Sequence, residues 1–167
     1  MSTVTSELRR GANAFYAGRT LIAVAVIVAI ASVLVLRQPR VGLILASPPV
    51  IQAHLYCAVT AAAIGAILLA WRKGRAFHRA FGWLWVYAVT GAILTSYFIR
   101  DAAGNFTWIH TTSVVWGTTL ALAVAFAVRR NIKWHRRLML LTYWVGIVGA
   151  IGLAFIPHRL LWRVFFG

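Results

Sequence analysis

Four of the chain's five histidines occupy matching places in two consecutive apolar hairpins. His54 and His110 lie just inside the start of the first helix of each hairpin, and His78 and His135 open the second. The segment Ile51-Gln-Ala-His54 overlays Thr107-Trp-Ile-His110 at an offset of 56 residues, and Phe77-His78-Arg79 overlays Trp134-His135-Arg136 at 57. Phe98-Ile99 and Phe155-Ile156 keep the 57. A neutral imidazole presents a nitrogen lone pair to a metal, and ionisable side chains are costly inside a membrane, so a fourfold placement needs a cause. The spacing predicts two bis-histidine metal sites, His54 with His110 and His78 with His135. Two imidazoles from opposing helices can hold a haem iron axially, and the core of a helical bundle suits such a site. No other side chain competes: Cys57 is alone, Met139 sits a turn below His135, and the apolar segments hold no carboxylate. The alternative is structural. A histidine at a helix end also caps carbonyls or sits at the wet interface, and duplication of one such pair would leave the same pattern. His158, after Pro157, reads as interfacial.

The elements that must position these histidines are membrane helices. Of 167 residues, 62% are hydrophobic, in long runs rather than periodic stripes. An apolar run of about 18 or more crosses a bilayer, because roughly 20 residues at 1.5 Å each span the hydrocarbon core. Five such segments are expected, at 20–36, 49–71, 77–99, 106–128 and 138–155. The fold class is therefore all-α, a polytopic membrane protein with little chain left for a soluble domain. The first segment has the basic flank of a leader peptide, but it is long for one and reads as a retained helix.

A net charge of +15 suggests nucleic acid until it is mapped onto the loops. Arg9, Arg10, Arg19, Arg72, Lys73, Arg75, Arg79, Arg129, Arg130, Lys133, Arg136 and Arg137 fall on one side, twelve of the 17 basic residues. Arg37, Arg40, Arg100, Arg159 and Arg163 fall on the other. The positive-inside rule then places the N-terminus in the cytoplasm and the C-terminus outside. Short loops explain this charge without nucleic acid, and anionic lipid at the cytoplasmic face is its expected contact. Trp71, Trp83, Trp85 and Trp134 read as an inner aromatic belt, and Trp108 and Trp162 as an outer one. Trp116 and Trp144 lie deeper and are expected to face the bundle.

The chain divides into 1–48, a cytoplasmic tail, first helix and outer interfacial loop; 49–157, a four-helix membrane unit; and 158–167, a short basic and aromatic outer tail. The middle unit is two parallel hairpin repeats, 49–100 and 106–157, related by an axis along the membrane normal. Short turns at 72–75, 100–105 and 129–133 make neighbours antiparallel, so helices two to five are expected to form an up-down bundle. Glycines scattered through these spans serve close packing or make room for a flat cofactor.

Absences narrow the chemistry. Glu7 and Asp101 are the only acids, so transport driven through membrane carboxylates has no residues to use. Phosphate-binding loops, zinc signatures and serine triads are absent from the sequence.

The segment His78-Arg79-Ala80-Phe81-Gly82 with Tyr87, and His135-Arg136-Arg137-Leu138-Met139 with Tyr143, resembles the bacterial membrane family known as domain of unknown function 2306, over residues 50–157. That resemblance implies a multi-pass inner-membrane protein. The four-histidine layout is also similar to the cytochrome b561 family, in which four helices bind two b haems. This second resemblance implies haem ligation by His54 with His110 and by His78 with His135. No ascorbate-site motif of its eukaryotic members is present. Arg79, Arg136 and Arg137 would then pair with haem propionates. The function expected is transmembrane electron transfer by b-type haem, with a quinone or other redox partner. The rival is an accessory subunit packing against other membrane subunits.

Overall fold

The computed structural model describes residues 39–71, 73–74, 76–99 and 108–167. The expected first span, 20–36, lies outside the described residues, as do Arg9, Arg10, Arg19, Arg72, Arg75 and the turn at 100–105. Among the described residues the structure is helical, with no strand. Its elements are α1 (Gly42–Leu45), α2 (Pro49–Ala70), α3 (Ala76–Ser96), α4 (Trp108–Val128), α5 (Ile132–Leu141), a π-helical segment (Thr142–Val148), α6 (Gly149–Ala154) and α7 (Leu160–Phe166).

Local chemistry sets the boundaries. Pro49 opens α2 at its first position, where the missing N–H costs nothing. Gln52 reaches back so that its Nε2 donates to the Ser47 and Leu45 carbonyls at 2.8 and 3.1 Å, satisfying acceptors left at the end of α1. The two hairpin turns use a left-handed residue, Gly74 with φ 81° and Arg130 with φ 58°. At the second, the N–H of Asn131 bonds the Phe126 carbonyl at 2.8 Å, closing α4. The Asn131 side chain then accepts from the N–H of Trp134 and starts α5. This two-residue exchange of caps starts the last helix at Ile132, six residues before the expected 138.

Three helices are long and apolar enough to cross a membrane among the described residues: Pro49–Ala70, His110–Val128 and Ile132–Ala154, the last running through α5, the π segment and α6. Only 17% of each apolar stretch is buried, so most of their apolar side chains face outward, as lipid requires and water would penalise. The segment expected to span at 77–99 is a helix of 21 residues, about 32 Å at 1.5 Å per residue. It begins with His78 and Arg79 and carries Trp83, Trp85 and Tyr87, and so falls outside the strongly apolar set.

Packing follows chain order. α2 lies along α3, α4 along α5, and α3 meets α4, while the π segment touches both α2 and α4. The core is a narrow seam of Ala61, Ile64 and Leu68 from α2, Trp85, Ala88 and Val89 from α3, Leu120 from α4 and Tyr143 from the π segment. Trp85, expected in the aromatic belt, is instead 4% exposed and donates its Nε1–H to the Ala61 carbonyl at 2.9 Å. Trp144, expected to face inward, is 56% exposed. A buried indole needs an acceptor for its N–H; α2 offers one to Trp85, whereas Trp144 turns outward beside the inward Tyr143.

Candidate histidine sites

Each histidine is held differently. His135, in the first turns of α5, has Nδ1 2.9 Å from the carbonyl of Ala123 on α4. A carbonyl only accepts, so Nδ1 carries a proton, and in the neutral ring Nε2 keeps the lone pair. A hydrogen bond to one ring nitrogen thereby sets up the other as a ligand. His78, the third residue of α3, has its Nδ1 enclosed with no hydrogen-bond partner. It lies within electrostatic reach of His135 and of Lys73. One turn on, Gly82 leaves open space where a side chain would stand. His78 and His135 thus open their helices at the same end, within electrostatic reach of each other.

At the other end of the helices, His54 on α2 turns to α3. Its Nδ1 lies 2.9 Å from the Ala92 carbonyl and 3.1 Å from Thr95 Oγ1. Nδ1 is again the donor, and Nε2 keeps its lone pair. His110 on α4 is 6% exposed, with its ring centroid 6.3 Å from that of Tyr97. The described contacts set His54 against α3 and His110 beside Tyr97, the residue that follows α3. One turn beyond His110, Ser113 Oγ meets Ser96 Oγ at 2.7 Å, both buried. This polar link between α3 and α4 escaped sequence reasoning; its signal was a pair of small hydroxyl residues within apolar helices.

The cations around the His78 end are exposed at Arg79, Arg136 and Arg137. Arg137 holds its guanidinium 5.3 Å from the Trp134 ring centroid, a cation–π contact. His158, with φ 71°, is exposed at the opposite end. Among the described residues no cluster of three or more His, Cys, Asp or Glu is present, so a metal here would rest on histidine pairs.

The glycines differ in the space around them. A Cβ on Gly65 would collide with the Tyr143 ring and stand 2.8 Å from Trp85 Nε1. On Gly91 it would lie 2.8 Å from Cys57 Sγ, and on Gly146 3.1 Å from the Trp116 ring. Those three serve close side-chain packing, and Cys57 is a packing residue as expected. A Cβ at Gly82 would stand in open space, whereas Tyr143 and Trp85 fill the mid-core at Gly65. No family model matches the chain, and neither a curated protein nor a solved structure matches it.

Proposed function

We propose that this chain is a small bacterial inner-membrane protein that holds b-type haem on paired histidines and carries electrons across the bilayer. What supports the reading is that His78 and His135 lie within electrostatic reach at one end of the helices, one with an enclosed and unpartnered nitrogen, the other oriented by the Ala123 carbonyl. Both come from helix starts at one end, which the distribution of basic residues assigns to the cytoplasm. Helices α2 to α6 form the up-down bundle in this reading, with the segment at 20–36 as a fifth span. Haem bound there supplies a one-electron couple whose potential is tuned by its axial ligands and surroundings. The chain's own part is to orient. Ala123 fixes the tautomer of His135, Gly82 leaves room beside His78, and Arg79 and Arg136 offer cations for propionates, with Arg137 stacked on Trp134. A second haem between His54 and His110 belongs to the same reading, with His54 Nε2 as a ligand.

A second reading, an accessory subunit without cofactor, is favoured by the filled mid-core, where Tyr143, Trp85 and Trp116 leave no room at Gly65 and Gly146. Purification from haem-replete cells followed by a reduced-minus-oxidised spectrum separates the two. Loss of the same part of the Soret band in both His78→Ala and His135→Ala supports haem ligation. A folded, colourless wild type decides for the accessory subunit.

A further inference from the structure

At the end of the helices opposite His78 and His135, tertiary structure assembles a cluster that the sequence keeps about 120 residues apart. The chain leaves α6 through Pro157 and His158, whose φ of 71° reverses its direction. α7 then folds back onto α1, where the N–H of Arg40 donates to the Val164 carbonyl at 2.9 Å. Val164 is 2% exposed, so α7 is docked and not a loose tail. Arg159 caps the start of α7, and its carbonyl accepts from the N–H of Arg163 at 3.0 Å, so both arginines sit in the opening turn of the helix. The backbone bond at Val164 brings Arg40 beside them. All three arginines are exposed, and the described residues include no aspartate or glutamate. They also lie on the less basic side of the chain, so the positive-inside rule gives no reason for them.

Apolar surface adjoins the charge. Val41 and Leu45 are 50% and 63% exposed. Trp162 packs on Phe166 at 4.7 Å between ring centroids, beside Phe155 and Phe165 at 5.5 Å. Guanidinium groups bind phosphate through two parallel hydrogen bonds, and aromatic rings settle at the headgroup level. We propose that α7, folded onto α1, seats the phosphate headgroup of an anionic phospholipid in the leaflet at this end, through Arg40, Arg159 and Arg163. The exposed Val41 and Leu45 then meet the acyl chains. This inference does not depend on haem.

The test uses the full chain reconstituted in phosphatidylcholine vesicles containing brominated phosphatidylglycerol or, separately, brominated phosphatidylcholine. The signal of Trp162 is isolated as the difference between wild type and Trp162→Phe. Trp162 should be quenched preferentially by the brominated anionic lipid, whose local enrichment should rise about fivefold for each arginine engaged. The combined variant Arg40→Gln, Arg159→Gln, Arg163→Gln should lose that preference, while Arg129→Gln with Arg136→Gln at the other end should keep it. Because Arg40→Gln retains the backbone N–H, the Val164 bond survives, and helical circular dichroism checks the fold. Equal quenching by both lipids in the wild type would overturn the proposal, as would a preference that persists in the triple variant. Loss of the preference on adding sodium phosphate at the same concentration would reassign the arginines to a free anion and also overturn it.

Discussion

Gly74 and Arg130 adopt the same left-handed backbone conformation, φ 81° and 58°, in the turns of successive helical hairpins 56 residues apart. That is the offset between His54 and His110, so the repeat seen in the histidines extends to the geometry of the turns. The first hairpin meets the requirement with glycine, which has no Cβ to clash; the second meets it with arginine, at a cost.

The turn is therefore a place to gain stability. Arg130→Gly should raise stability by about 1 kcal/mol, by removing the left-handed penalty at the end of α4. Gly74→Ala should lower it by a similar amount. Thermal unfolding in detergent, followed by circular dichroism, measures both. A destabilised Arg130→Gly protein would mean that the arginine side chain does more than tolerate the turn.

Gly65 is the tightest point of the core. Gly65→Ala should cost about 1–3 kcal/mol, because the added methyl meets the Tyr143 ring and Trp85 Nε1 in a packed seam. Gly152→Ala, where a Cβ meets nothing within 4 Å, should be neutral or gain up to about 1 kcal/mol of helix propensity. If the two variants unfold at the same temperature, the close approach of α2 to Tyr143 is wrong.

Haem ligation predicts that the histidines fall into pairs. His78→Ala and His135→Ala should each remove the same spectral component, roughly half of the total if two haems are present, since a bis-histidine site fails on losing either ligand. His54→Ala and His110→Ala should remove the other. Four variants with unrelated losses would break the pairing even if the wild type were coloured.

Orientation is open to a direct test. A reporter fused after Gly167 should behave as periplasmic, and one inserted at Asn131 as cytoplasmic, following the bias of basic residues. Both reporters on one side of the membrane would remove the odd number of spans between them.

Residues 49–71, 77–99 and 106–128 were legible as helices because each is a long apolar run, and length alone distinguishes such runs from strands. The start of the last helix was not, because Arg130 and Asn131 do their capping through backbone angles and one side-chain acceptor within a polar stretch that reads as loop. The tail at 158–167 read as an appendage; its docking depends on a reversal at His158 and on Arg40, neither of which leaves a local pattern. Ser96 and Ser113 stood out only as small hydroxyl residues within apolar helices, which does not say that the two are partners.

What the sequence determined by itself was what local composition controls: helical, membrane-type segments, their turns, and a repeat with four histidines in register. What only the tertiary structure decided was rotation about each helix axis. A segment that is apolar all round can turn any face to its neighbour at little hydrophobic cost, because lipid accepts every side. The face is then chosen by steric fit and by polar groups seeking partners: Gly65 admits Tyr143 and Trp85, the Ala61 carbonyl takes the Trp85 indole, and Ala123 takes His135. In the same packing His78 lies within electrostatic reach of His135, His54 turns against α3, and His110 lies beside Tyr97. Spacing along the chain put four imidazoles in register; packing across it chose the neighbour that each ring faces.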